Sequence, residues 1–350
     1  MPRGDTWQAR AERLGQAIPV TRLHPAVLAW VQDAPPAGWG IALSGGPDSV
    51  CLLLLVWAHF PSRRTALTAL HFNHRLRGRA AEADVRFCRE LARELKIKFA
   101  TAAWTDAPKG ASEEAARSAR FAFLEGASRT RHLGCLWFGH QQDDIAETLL
   151  MRLSRGSGTG GLAAPRPLQV MAEGRVHVRP LLGLKKAEIE TLLIDRSVPF
   201  RTDATNAGDR YFRNRVRSRV VPAWVEASGR DAVAGAALSR DRLEEDDRAL
   251  EEWVDRLHCL TPAGSLRLTV LDGAPTAIRR RALHRWLAGQ PLAGSLSRQG
   301  FDALLAAVTA GKPTRHSLGR QGFAVIRAGR LAFVLNRANP TVNTPAPRLT

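Results

Sequence analysis

Ser44-Gly45-Gly46-Pro47-Asp48-Ser49 interrupts what would otherwise be one apolar run, with IALS leading into it and VCLLLL following soon after. The glycines permit a tight backbone turn, and Pro47 suits the first turn of a helix, where its missing N–H costs nothing. The helix then begins under N–H groups that have no carbonyl partner and carry partial positive charge, a seat for phosphate or pyrophosphate. Ser44 and Ser49 can add hydroxyl donors to it. The common NTPase loop, G-x-x-x-x-G-K-S/T, is absent, because Gly311-Lys312 lacks the upstream glycine and is followed by proline. Asp48 stands where that motif carries lysine. A carboxylate beside a polyphosphate calls for a cation between them, which points to Mg2+.

A second group of reactive residues lies in GHQQDDIAET, where His140, Asp143, Asp144 and Glu147 open a helix just past a strand, at the same sheet edge as the phosphate seat. Asp144 and Glu147 are three apart and share a helix face. One carboxylate can hold Mg2+ while another orients or deprotonates a cationic amine, although acids that merely complement a helix dipole would look the same. SEEAARSARFAFL places Arg117 and Arg120 on an amphipathic helix, where a guanidinium can neutralise a phosphoryl group. RTDATNAGDRYFRNRVRSRV gathers Arg201, Arg210, Arg213, Arg215, Arg217 and Arg219 around Tyr211 and Phe212, a composition suited to RNA phosphates and to stacking on an unpaired base. His71 and His74 make a poor metal pair at i, i+3 on a strand end. GSGTGG, residues 156–161, satisfies G-x-G-x-x-G but follows a helical stretch, so it lacks the context of a dinucleotide fingerprint.

The elements that must position these residues follow a simple alternation. Residues 41–44, 65–72, 97–104 and 133–140 read as strands, and DSVCLLLLVWAHF, AAEADVRFCRELAREL and SEEAARSARFAFLEGAS read as the helices between them. This predicts an α/β fold, a doubly wound parallel sheet covered on both faces, with its ligands at the carboxyl ends of the strands. The expected divisions are an N-terminal extension (1–37), a catalytic domain (38–222), a helical linker (223–257), a smaller α+β domain (258–340) and a Pro/Thr-rich tail (341–350).

Composition sets the outer limits. With 51 Lys and Arg against 33 Asp and Glu, the formal charge is +18, which favours a polyanionic partner. The basic stretches AIRRRALHRW and GKPTRHSLGR extend that expectation to the second domain. Cys51, Cys88, Cys135 and Cys259 form no C-x-x-C pair, so neither a disulfide framework nor a thiolate metal site is indicated. No apolar run approaches the ~20 residues of a membrane helix, and the expected setting is the cytoplasm, with no membrane partner.

SGGPDS after a hydrophobic strand resembles the pyrophosphatase loop of ATP-dependent adenylating enzymes, the PP-loop superfamily with its adenine nucleotide α-hydrolase-like fold. HFNHRLRG (71–78), SEEAARSARFAFL (112–124), FGHQQDDIAETLLMRLSRGSGTGGL (138–162) and RPLL followed by DATNAGDRYFRNRVRSRVVP (203–222) match one family in order and spacing. Over its first two-thirds the chain resembles tRNA(Ile)-lysidine synthases. The last third is similar to that family's accessory region only loosely, and a further C-terminal domain of longer members is expected to be missing. The resemblance implies that the C2 carbonyl of the wobble cytidine in a CAU-bearing tRNA(Ile) attacks ATP, and that L-lysine then displaces AMP. It implies ATP contacts from Ser44, Gly45, Gly46, Pro47, Asp48 and Ser49, and Mg2+ on Asp48 and Asp144. Catalytic roles fall on Asp144, on Glu147 toward the lysine amine and on Arg117 toward phosphate, with His140, Asp143, Arg210, Arg213 and Arg215 contacting substrate. A cytidine thiolase, a small-molecule amidating synthetase and a non-catalytic RNA-binding module are the alternatives. Clustered cysteines would mark the first, and the Arg-rich segment is superfluous to the second.

Overall fold

The structure, a computed structural model, describes residues 6–336 apart from 34, 76–77, 106, 109, 203–210 and 291–295. It divides into two compact units, one ending at Glu244 and the other starting at Glu245.

The first unit alternates strand and helix, as the apolar spacing predicts. Its elements are α1 (Trp7–Ala17), α2 (Pro25–Gln32), β1 (Trp39–Ala42), α3 (Pro47–His59), β2 (Leu67–Asn73), α4 (Arg79–Glu94), β3 (Lys98–Ala103), α5 (Glu113–Thr130), β4 (Cys135–Trp137) and α6 (Gln142–Leu153). There follow α7 (Thr159–Leu162), β5 (Leu168–Val170), β6 (Val176–Val178), α8 (Lys186–Asp195), α9 (Phe212–Arg215), α10 (Val221–Ser228) and α11 (Ala232–Arg256), the last of which crosses the division. The strands run in the order β3-β2-β1-β4-β6-β5, parallel except for β5, which pairs antiparallel with β6 at the edge. Strand order reverses between β1 and β4, which makes their carboxyl ends the crevice where a doubly wound sheet binds its ligand.

The core explains the apolar run. Val50 to Trp57 of α3 are buried on every face, because the helix lies under the sheet with α1 and α8 packed against it. Trp39 on β1 and Trp137 on β4 stack at 4.7 Å between ring centroids, fastening the two central strands. Trp7, Ala11, Leu14 and Ile18 are buried in this same core, so the residues expected to be an extension form part of the unit's hydrophobic centre. GSGTGG follows α6 and leads into the short α7, which is not the strand-to-helix turn of a dinucleotide site.

The second unit has its own core of Leu283, Trp286, Leu304, Ile326 and Leu331. Two helices, α12 (Thr276–Ala288) and α13 (Arg298–Ala310), accompany an antiparallel sheet of β7 (Leu266–Arg267), β8 (Thr314–Ser317), β9 (Gly322–Arg327) and β10 (Arg330–Leu335), ordered β7-β10-β9-β8. Within it, Arg281 pairs with Asp247 at 2.6 Å and Glu251 at 2.6 Å, and Arg285 with Glu251 at 2.5 Å and with Asp255. Two arginines of AIRRRALHRW are thus compensated by acids of α11. Among the described residues no helix is long and apolar enough to cross a membrane.

Candidate active site

The turn after β1 owes its shape to Gly45. Its φ of +90° is one that other residues rarely adopt, and a Cβ there would lie 3.3 Å from both Arg201 Cγ and Cys88 Sγ. Ser49, expected to offer its hydroxyl to a phosphate, spends it inside the turn. Its Oγ accepts from the N–H of Ser44 at 3.1 Å and of Gly45 at 3.2 Å, and donates to Gly46 O at 3.0 Å. Ser44 Oγ accepts from Gly46 N–H at 3.3 Å. Ser49 is a brace for the loop rather than a ligand donor, because a buried hydroxyl this far inside finds its partners in the turn itself. What stays open is the first turn of α3, whose N-cap Gly46 provides no side-chain cap and whose Pro47 has no N–H. The loop N–H groups of Ser44, Gly45 and Gly46 are therefore taken up by serine hydroxyls, and the helix end is the part of the turn without a side-chain cap.

Gly139 brings the second loop against that end. A Cβ on it would sit 2.7 Å from Asp48 O and 3.2 Å from Ser49 N, so only glycine lets the chain leaving β4 touch the start of α3. Two residues on, Gln141 caps α6: its Oε1 accepts from Asp143 N–H at 2.5 Å, while Gln141 N–H donates to Asp144 Oδ2 at 3.0 Å. One oxygen of Asp144 is thus fixed by its own helix start. Asp143, expected among the substrate contacts, points its carboxylate elsewhere and accepts from Lys186 N–H at 2.9 Å, tethering α8.

The acids form a connected group at the switch point. Burial, reinforced by the charge of Asp144, pushes the Asp48 carboxyl up to about 7, and its Oδ1 is buried without a hydrogen-bond partner. A buried carboxyl whose ionisation a neighbouring carboxylate opposes, and which has an orphaned oxygen, suits a divalent cation. Among the described residues no group of three or more His, Cys, Asp or Glu side chains is assembled for a metal, so such an ion would complete its shell from phosphate oxygens and water, as Mg2+ on a nucleotide does.

Arg213 and Arg217, four residues apart, close on the other acids. Arg213 donates to Glu147 Oε2 at 2.7 Å and to Asp144 Oδ1 at 2.5 Å, and Arg217 donates to Glu147 Oε1 at 2.5 Å and Oε2 at 3.0 Å. Burial opposes both guanidinium charges, yet Asp144 and Glu147 hold them above their ordinary value. The register comes from a π-turn, Val216–Val220, closed by Val221 N–H to Val216 O. Pro222 follows at once. It lacks an N–H, and its ring would strike the carbonyl of Ser218 in a regular α-helix, so the chain widens by one residue there.

Arg117 lies on α5 with its guanidinium 4.8 Å from the Phe121 ring, and burial followed by the charge of Arg213 lowers its pKa. His140 sits in the loop after β4 and is held neutral, first by burial and then by Arg179, Arg213, Arg120 and Arg117. Arg215 is exposed, 5.9 Å above Phe212. Arg210 lies outside the described residues. Gly139 and Gln141 are not among the residues picked out from the sequence, and Arg217 is picked out there as part of the basic segment, not as a partner of Glu147. The Q-x-x-D spacing of a capping box and the four-residue spacing of Arg213 and Arg217 were the available signals.

A family model described as a PP-loop domain matches residues 20–224. The curated tRNA(Ile)-lysidine synthase of Gloeobacter violaceus is 34% identical over 254 residues, covering 72% of this chain and 77% of that protein. The chain belongs to the tRNA(Ile)-lysidine synthase family of PP-loop proteins. The family member from Symbiobacterium thermophilum is 34% identical over 284 residues, or 77% of this chain, but the chain spans only 58% of that relative's length. Among solved structures, a U34-tRNA thiolase from Methanococcus maripaludis with its 4Fe–4S cluster shares the fold at a TM-score of 0.50 and 17% identity, covering 67% of this chain and 78% of that one. In the lysidine-synthase family member described here the cysteines are separately buried, and burial lifts the thiols of Cys88 and Cys135 to about 12. They offer no gathered thiolates.

Proposed function

We propose that this protein is a tRNA(Ile)-lysidine synthase, joining L-lysine to C2 of the wobble cytidine of a CAU-bearing tRNA(Ile) with consumption of ATP. The observation that carries this reading is the meeting, at the β1/β4 switch point, of an uncapped helix end bearing Asp48 with the acids Asp144 and Glu147. One half of that pair suits a polyphosphate and the other an ammonium group.

The triphosphate rests on the first turn of α3, with the loop amides held rigid by Ser44 and Ser49. Asp48 and Asp144 would hold Mg2+, which would supply positive charge to neutralise the pyrophosphate as it leaves. The cytosine C2 oxygen attacks the α-phosphorus as the bond to pyrophosphate breaks, and once adenylated that oxygen can leave C2 as AMP, since an amide-like oxygen is otherwise a poor leaving group. Arg117 faces charge on the phosphoryl group. The lysine ε-ammonium is drawn to Glu147, where it shares or displaces the guanidinium groups of Arg213 and Arg217, and Glu147 takes up the proton as nitrogen bonds to C2 and AMP departs. The two arginines keep the buried acid compensated until the substrate cation arrives.

The test is incubation of unmodified tRNA(Ile) with ATP, Mg2+ and lysine, followed by mass analysis of the anticodon fragment. A gain corresponding to lysine minus water is expected, along with tRNA-stimulated ATP–pyrophosphate exchange. Absence of any ATP turnover would refute the proposal.

A further inference from the structure

Beside the acids lies a group of two arginines and a neutral histidine to which the reaction steps above give no role, beyond the substrate contact expected of His140. Arg120 on α5, His140 after β4 and Arg179 after β6 all sit at the carboxyl ends of the sheet, held together by two aromatic rings. Arg120 lies 5.7 Å from the Phe121 ring and Arg179 lies 5.6 Å from that of Phe138, while the two rings are 5.8 Å apart and stacked. Each of the three polar side chains has a buried nitrogen with no hydrogen-bond partner: Arg120 Nε, Arg179 Nε and His140 Nδ1. Arg179 is only 6% exposed, and its remaining nitrogens are bound to Arg166 O at 2.8 Å and Gln169 Oε1 at 3.3 Å. Neither Arg120 nor Arg179 pairs with a carboxylate among the described residues.

Like charges gathered in this way work against one another. Burial and then the neighbouring charge of Arg117 bring both Arg120 and Arg179 down to about 10. The cluster therefore carries strain that an anion with several acceptor oxygens would relieve, and its unpartnered buried nitrogens are groups that such an anion would satisfy.

We propose that Arg120, Arg179 and His140 seat a backbone phosphodiester of the RNA substrate, next to the nucleotide being modified. The inference rests on the lysidine-synthase reading for the identity of that RNA. The position favours RNA over the nucleotide co-substrate. The triphosphate belongs to the end of β1, and β6 lies two strands away, roughly 10 Å at the usual interstrand spacing. An extruded base that reaches the α-phosphorus must keep its own sugar-phosphate within about that distance, so a phosphate seat at β4 and β6 anchors the backbone while the base reaches toward β1.

Arg120→Met tests this with least damage to the fold, since Arg120 carries fewer structural bonds than Arg179. For an anticodon stem-loop of tRNA(Ile), the expected result is about tenfold weaker binding and a salt dependence shallower by about one charge, with the KM for ATP unchanged. Arg120→Lys should recover part of the affinity. A stem-loop bearing a single uncharged methylphosphonate linkage beside the wobble nucleotide should bind the wild-type protein about tenfold more weakly, yet bind Arg120→Met no worse than the unmodified loop does. An increase in the KM for ATP with RNA affinity intact, or equal losses from the methylphosphonate in both proteins, overturns the phosphate seat. Wild-type protein that shows this coupling but makes no lysidine would instead overturn the reaction and leave the seat standing.

Discussion

Asp48, as the proposed cation ligand, is expected to couple ligand binding to pH. Burial and the charge of Asp144 hold its carboxyl at about 7 against an ordinary 3.8, so in the free protein Asp48 favours the fold most below its ordinary value. That contribution is lost as pH rises through about 7. The proposed divalent cation would take the ionised form, so MgATP binding below pH 7 should displace a proton. Its Kd should fall about tenfold per pH unit up to about 7 and then level off. Titration calorimetry in buffers of different ionisation enthalpy would count the proton, and Asp48→Asn should bind weakly with no pH dependence. Glu147 answers to a different readout. In Glu147→Gln, Arg213 and Arg217 lose their shared carboxylate, and the stability loss should be about 1–3 kcal/mol by denaturant titration. Lysine transfer should fall about a hundredfold or more while tRNA-stimulated ATP–pyrophosphate exchange persists. Equal loss of both steps would remove Glu147 from the lysine site.

Two short elements set where these side chains meet. The π-turn at Val216–Val220 adds one residue ahead of Pro222, which rotates everything before it by about 100° relative to α10. Pro222→Ala removes the reason for the widening. The helix should relax toward a regular α-form, with stability lower by about 1–3 kcal/mol in denaturant titration and with lysidine formation reduced about tenfold as Arg213 and Arg217 leave the buried Glu147. Retained activity in that variant would mean the π-register is incidental. Gly139 governs the other approach, because a methyl group there would meet Asp48 O at 2.7 Å. Gly139→Ala should cost about 1–3 kcal/mol of stability and weaken ATP binding far more than RNA binding, measured by filter retention of each.

At the scale of the whole molecule, a charge of +18 does not translate into eighteen contacts. Arg281 and Arg285 serve the second unit's own helices, so Arg285→Ala should lower that unit's melting temperature and leave the salt dependence of RNA binding unchanged. A shallower slope in that variant would show that the ion pairs open toward RNA. The alternation of strand and helix, the corner at Ser44–Ser49 and the acids of GHQQDDIAET were legible in the sequence, as was the short antiparallel sheet of the second unit. All of them follow from local rules: apolar period, turn chemistry and helix-start residues. The place of α1 in the core was not legible, because an amphipathic helix does not name the surface it will cover. Nor was the inward turn of Ser49, since the same serine reads equally well as donor to a phosphate or to its own loop. The sequence by itself determined which groups could do chemistry and at which edge of a parallel sheet they would stand. Only the tertiary structure decided that Arg213 and Arg217 would close on an acid 66 and 70 residues away, because an ion pair between distant segments leaves no period in the chain and arises from how helices pack.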